Sequence, residues 1–260
     1  VIGSVSALVF LGAAQRRLLK KGLPIFTYHK LGGVPASSTD PFLYVTPKAM
    51  EEQIRALKNA GYLPLAIDSI ANVSQSSGRL GHHAGSVITF DDGFENVFRL
   101  GLEILTRQKV ISIQYLVVEA VGKTNHWDVA KGDVPERLMD EAQVREWLGA
   151  GQLIGSHSLS HPNLRKVSLP KAREEIFASK ARLENDFGVK VRHFCYPYGS
   201  YNERLRDLVV EAGYETACTV EFGVNPAGTS LAELRRIIPL SNLELAKKAF
   251  HRLKRRTHFS

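Results

Sequence analysis

The sequence predicts an α/β fold: a distorted (β/α) barrel of about seven parallel strands in a single domain. Three observations predict it. Short β-forming runs alternate with helical patterns about six or seven times over roughly 220 residues, which implies a parallel sheet. Several of these runs end on polar residues, at the strand end where α/β folds build their sites. The chain has 260 residues, 44% hydrophobic and 23% charged, and repetition at that length favours a closed or nearly closed barrel over two domains. An open, flavodoxin-like sheet is the competing arrangement.

Each element has its own local signal. Residues 1–14 are apolar or small and uncharged, followed by Arg16, Arg17, Lys20 and Lys21. That run is too short to span a bilayer, and its charges come after the apolar stretch rather than before it. Residues 1–23 are read as the remnant of a signal or membrane anchor, or as a first amphipathic helix packed on the domain. Pro24 to His29 reads as a strand ending on histidine, and a loop rich in Gly, Pro and Ser follows from Gly32 to Pro41. Thr46-Pro47 opens a helix with Met50, Ile54 and Leu57 on one face, and Gly61 closes it. Tyr62 to Ile67 reads as a strand and Asn72 to Gly85 as a loop.

Val87 to Phe90 is a buried strand that runs into Asp91-Asp92-Gly93, then a helix with Val97, Leu100, Ile104 and Leu105 on one side. Ile111 to Val118 is strongly β-forming, and residues 119–139 read as an aperiodic excursion near the site. Asp140 and Gln143 form a capping box for a helix stopped by Gly151. Gln152 to Ser156 is the next strand, and it leads into His157-Ser158-Leu159-Ser160-His161. Ser168 opens a long helix that ends at Gly188; Val191 to Tyr196 is a strand followed by Pro197-Tyr198-Gly199. Asn202 caps the next helix, and Thr216 to Val220 and Arg235 to Leu240 read as the last strands. The main domain spans residues 24–240, and residues 241–260 read as a basic amphipathic helix.

The two cysteines, Cys195 and Cys218, lie inside apolar strand runs and read as buried thiols rather than a bridge. The net charge is +8, with six Lys or Arg between Lys247 and Arg256. That basic segment suits an anionic membrane surface or acidic polymer. No nucleic-acid motif accompanies it, so no nucleic-acid partner is expected.

The polar strand ends form a constellation. Adjacent carboxylates at a strand end point in different directions, so one can bind a metal while the other acts as a base. The plain alternative is an Asp-Gly turn. His157 and His161 are four apart, and one helical turn would bring them about 5 to 6 Å apart on one side. Two imidazoles and a carboxylate make a three-ligand site with open positions. Trp127, Tyr196 and Tyr198 are aromatics in or beside these segments, with core packing as the plain reading of each.

Thr89-Phe90-Asp91-Asp92-Gly93 and Ser156-His157-Ser158-Leu159-Ser160-His161 resemble the first two motifs of the polysaccharide deacetylases, the NodB-homology domain of carbohydrate esterase family four. Tyr196-Pro197-Tyr198-Gly199 resembles the third. Tyr28-His29 and Gly61-Tyr62 are similar to the branch containing the poly-N-acetylglucosamine deacetylases of biofilm formation. The resemblance implies metal-dependent removal of N-acetyl groups from an N-acetylglucosamine-containing polysaccharide of biofilm or cell wall. It implies Asp91 as general base and Asp92, His157 and His161 as ligands of a divalent metal, most often Zn2+. It implies Tyr198 as a backbone donor to the oxyanion, and His29, on the circularly permuted N-terminal strand, as general acid. Trp127, Tyr196 and Pro197 are expected to contact substrate, and the setting is expected to be extracytoplasmic.

Two features depart from the family pattern. Cys195 stands where an arginine usually holds the base, and Arg235 or Arg236 is the candidate substitute. The late Asp-x-x-Asp-Trp motif is absent. The chemistry is coherent on physical grounds: an amide needs a polarised carbonyl, a base for water, and an acid near neutral pH for the leaving amine. The alternatives are an amidase of the same fold acting on a non-sugar amide, and a non-catalytic carbohydrate-binding module.

Overall fold

The computed structural model describes residues 13–70 and 85–239. Among the described residues ten strands follow one another as β1 (Ile25–Tyr28), β2 (Lys30–Leu31), β3 (Tyr44–Val45), β4 (Leu63–Pro64), β5 (Gly85–Phe90), β6 (Ile113–Leu116), β7 (Leu153–Ser156), β8 (His193–Cys195), β9 (Thr216–Phe222) and β10 (Leu234–Arg236). Seven of them stand side by side in the order β1-β5-β6-β7-β8-β9-β10, all parallel. The ends of this row meet. Thr27 N–H donates to the Ile237 carbonyl at 3.0 Å, and Ile237 N–H donates to the Ile25 carbonyl at 2.8 Å. The arrangement is therefore a barrel, and the open flavodoxin-like alternative is excluded. Strand β4 pairs with the start of β5, and β2 with β3.

Strand alternation sorts the core into two layers. Ile25, Val87, Ile113, Tyr115, Cys195, Cys218 and Leu234 pack together as one cluster inside the ring. Their neighbours Phe26, Ile88, Phe90, Leu116, Phe194 and Ala217 belong to the larger cluster between strands and helices. Tyr115 fills the interior beside Gly155, where a Cβ would lie 2.6 Å from the tyrosine ring. Both cysteines are buried free thiols, as their apolar setting predicts.

The expected helix signals operate. Thr46 Oγ1 accepts from Ala49 N–H, and Asp140 and Gln143 form the capping box. Ser168 and Asn202 cap their helices, and Gly188 ends the long one at φ 67°. Three expectations need correction. Leu100 is 42% exposed, because the buried stripe of Glu95–Arg107 runs through Val97, Gly101, Ile104 and Leu105, and Leu31 fills the space over Gly101. The strand at Tyr62 to Ile67 shrinks to Leu63–Pro64, since the chain turns at Ala66–Ile70 and drops Ile67 and Ile70 into the inner cluster. Gly85, assigned to a loop, begins β5. The helix Ala13–Leu19 sends Leu19 into the outer core layer. Residues 1–12, most of the loop at 72–85 and the basic segment 241–260 lie outside the described residues.

Candidate active site

The carboxyl ends of the strands open into a cleft of about 420 Å³, lined by His29, Asp91, Asp92, His157, His161, Trp127 and Tyr198 together with Leu43, Asp128, Tyr196, Gly199 and Val220. Alternation explains who faces inward. Ile25 and Thr27 lead to His29, Val87 and Thr89 lead to Asp91, and Leu153 and Gly155 lead to His157. On the far side, Leu234 leads to Arg236.

Asp91 and Asp92 are adjacent and have separate partners. Asp91 is gripped by Arg236, whose two terminal nitrogens donate to its two oxygens at 2.7 Å each. The guanidinium is itself fully buried, with Nε donating to the Thr219 carbonyl at 2.9 Å. Burial raises the Asp91 pKa, but the charge and hydrogen bonds of Arg236, with His29 and His157 behind them, outweigh it and leave it lowered. Arg236 thus makes the contact to Asp91 that Cys195 cannot make; Arg235 is exposed. Cys195 remains beside the pair, its Sγ 3.6 Å from Asp91 and 3.2 Å from Arg236. Burial pushes this thiol well up, so it stays protonated. His29 Nε2 lies 3.7 Å from Asp91 Oδ2, on the open side of the carboxylate.

Asp92 turns away through a left-handed backbone, φ 74°. Its Oδ1 faces His157 Nε2 at 3.4 Å and His161 Nε2 at 3.3 Å. The two histidines do not sit on a helical turn, as their spacing suggested. They flank a loop in which Ser158 and His161 are left-handed, φ 66° and 64°. Ser156 Oγ accepts from Ser158 N–H, and Ser158 Oγ accepts from His161 N–H, which holds the curl. His157 Nδ1 donates to the Cys195 carbonyl at 2.7 Å, which leaves the Nε2 lone pair directed at Asp92. Burial lowers the His157 pKa, yet the adjacent Asp92 and Asp91 carboxylates leave it raised. At His161 burial prevails and pushes it down to about 4. Burial opposes ionisation at Asp92 too, but its two histidines hold it well below the usual carboxylate range.

This donor set fits a divalent metal. Two imidazole nitrogens and one carboxylate oxygen lie within 4.8 Å of one another. The contacts to Asp92 are longer than good hydrogen bonds, and the second nitrogen of His157 is already oriented. Asp91, His157 and Cys195 also cluster. That set is the poorer one, because Arg236 engages both Asp91 oxygens and also donates to the Cys195 sulfur.

The aromatics divide. Trp127 and Tyr198 flank the His161 ring, at centroid distances of 4.3 and 4.7 Å. Tyr198 has φ 57°, in a turn whose Gly199 sits so close to Val220 that a Cβ would lie 2.3 Å from it. Lys131 Nζ donates to Tyr198 Oη at 3.0 Å. Tyr196 and Pro197, expected to contact sugar, are buried. The Tyr196 ring stacks on Tyr201, and its hydroxyl donates to the Ala232 carbonyl, a core-packed setting from which it still lines the cleft. Leu43 and Val220 complete the walls; both lie on stretches with no motif to mark them.

The sequence profile of polysaccharide deacetylases matches residues 82–217. YxkH of Bacillus subtilis (strain 168), by name a candidate polysaccharide deacetylase, is 24% identical over 215 residues, which cover 83% of this chain and 70% of that protein. Among solved structures, the deacetylase PplD of Streptococcus pyogenes in complex with acetate superposes with a TM-score of 0.71 at 20% identity, covering 90% of this chain and 98% of that one. IcaB from Ammonifex degensii gives 0.71 at 18% identity, with 90% and 97% covered. These two structures share the fold. With the profile spanning more than half of the residues, the chain belongs to the polysaccharide deacetylase family.

Proposed function

We propose that this deacetylase removes N-acetyl groups from an N-acetylglucosamine-containing polysaccharide and releases acetate. The observation that carries the reading is the division of labour between the two carboxylates. Asp92 joins His157 and His161, while Asp91 stands beside that set, held charged by Arg236. A binding module has no use for a base fixed next to a metal set, which argues against the non-catalytic alternative.

Asp92, His157 and His161 would hold a divalent metal, Zn2+ by their donor types; bound there, it would polarise the acetyl carbonyl and make water a better nucleophile. Asp91 takes the proton of the attacking water. Arg236 keeps both Asp91 oxygens in place and their charge intact until that moment. The developing oxyanion is met by the Tyr198 backbone N–H, in the left-handed turn at the cleft edge. His29 protonates the departing amine, so that a neutral amine leaves and acetate remains. Trp127, Tyr198, Leu43 and Val220 wall the cleft with the apolar surface that a sugar ring's C–H face requires. Acetylated polymers of this kind lie outside the cytoplasm, where we place the reaction, and the basic segment 247–256 would contact anionic polymer or lipid there.

The test is acetate release from N-acetylglucosamine oligomers by the wild type, the chelated protein, the zinc-restored protein and Asp91→Asn. Activity that needs metal and falls by about 10²- to 10⁴-fold in Asp91→Asn supports the reaction and its base. Zinc binding without acetate release would redirect the reading to a non-sugar amide. No zinc binding at all would sink it.

A further inference from the structure

Glu175 lies outside the cleft, on the long helix Leu169–Phe187, and no motif includes it. Its side chain is fully buried. A buried carboxylate is costly unless its oxygens are well supplied with donors. Here the donors come from the loop between the two histidines. Oε2 accepts from Leu159 N–H at 3.0 Å and from Ser160 N–H at 2.8 Å. Oε1 accepts from the Ser160 hydroxyl at 2.6 Å and faces Lys171 Nζ at 3.4 Å.

The loop needs such a clamp, because Ser158 and His161 on either side of the clamped pair are both left-handed. The two histidines are also oriented differently. His157 has a hydrogen bond from its second nitrogen to the Cys195 carbonyl. His161 Nδ1 is buried with no hydrogen-bond partner. The His161 ring is therefore aimed by its backbone and by the rings of Trp127 and Tyr198. We propose that Glu175 is a positioning residue for the metal site: by fixing the backbone of Leu159 and Ser160, it does for His161 what the Cys195 carbonyl does for His157. This rests on the metal-site reading above.

The experiment measures Zn2+ affinity of metal-stripped protein by competition with a chromophoric chelator, beside thermal unfolding of the same metal-free samples. Glu175→Gln keeps the side chain's size but turns an amide NH2 toward the Ser160 hydroxyl and the Lys171 ammonium, and zinc binding is expected to weaken at least about 10-fold. Ser160→Ala removes one of the three bonds and is expected to weaken it by about 3-fold. Glu174→Gln, on the exposed pair with Lys171, leaves affinity unchanged. A merely structural Glu175 would lower the melting temperature and leave the zinc affinity of the folded variant alone. Glu175→Gln binding zinc within about twofold of wild type overturns the proposal. Should that variant fail to fold, Ser160→Ala decides: wild-type affinity overturns the clamp. If the wild type itself takes no zinc, the metal site falls and the clamp falls with it, an outcome distinct from a wild type and variant that bind alike.

Discussion

The two poles of the barrel each hold a buried histidine facing an aspartate, and they are built to opposite specifications. At the amino end, His193 has both nitrogens engaged, with Thr216 Oγ1 at 2.9 Å and Asp68 Oδ1 at 2.5 Å, and Arg192 closes the other Asp68 oxygen at 2.5 Å. None of these four residues has a left-handed backbone. At the carboxyl end, His157 and His161 converge on one oxygen of Asp92 at 3.3 to 3.4 Å, and His161 keeps an unpartnered nitrogen. Of the five non-glycine residues with positive φ among those described, Asp92, Ser158, His161 and Tyr198 belong to this pole. Each such residue costs about 1–3 kcal/mol. The lesson is that residue type does not mark a site. Saturated hydrogen bonding on relaxed backbone marks a structural clamp, whereas convergent, underused donor atoms on strained backbone mark a place kept for a ligand.

Substitutions sharpen this contrast. The largest effect on stability is expected at Arg236→Met, which strands the buried Asp91 charge. It should cost about 3–5 kcal/mol in urea unfolding and also cut acetate release, because an unpaired Asp91 drifts toward its protonated form. Restoring much of the stability but none of the activity in the Asp91→Asn, Arg236→Met double variant would locate the cost in the stranded charge. Next comes His193→Ala, which leaves one Asp68 oxygen and the Thr216 hydroxyl without their partner and should cost about 1–3 kcal/mol with zinc affinity and kcat unchanged. A loss of zinc binding there would break the comparison. The smallest is Asp68→Asn. The His193 hydrogen bond and the Arg192 charge, against burial, depress the folded Asp68 pKa. Its stabilisation is thus complete above the unfolded value near pH 4 and is lost as the pH falls through the folded value. Removing it should flatten the acid side of the stability profile by a few tenths to about 1 kcal/mol, read as unfolding midpoints at about pH 5 and about pH 3.

Much of this was legible in the residues. Alternating strand and helix signals carried the barrel, because buried β-branched runs, caps and glycine stops are local. The grouping of Asp92 with His157 and His161, and the place of Asp91 beside it, were legible because these residues lie in contiguous motifs at strand ends. Arg236 was half legible: the pair Arg235-Arg236 stood out, but only the register of β10, with Leu234 inward, decides between them. The histidine loop was misread as a helical turn, since side-chain hydrogen bonds and a distant Glu175 impose its left-handed residues. The packing of Tyr196 was not legible, because it depends on Tyr201 and on the Ala232 carbonyl, neither of which its own neighbours announce.

The closure of the ring through the last strand has a consequence for the order of events in folding. Asp91 and Arg236 are 145 residues apart in the chain, and β10 also completes the junction with β1. Such a pairing is among the slowest to form, because its loop must close first. A half-assembled barrel would bury an aspartate without its counter-charge, and the acid would hold its proton. Competence to deprotonate water should therefore appear in the same kinetic phase as docking of the final strand. Stopped-flow refolding that regained activity before Tyr196, whose hydroxyl donates to the Ala232 carbonyl just ahead of the last strand, reached its native environment would contradict this. The enzyme would then carry its own check on assembly: it cannot act until it is whole.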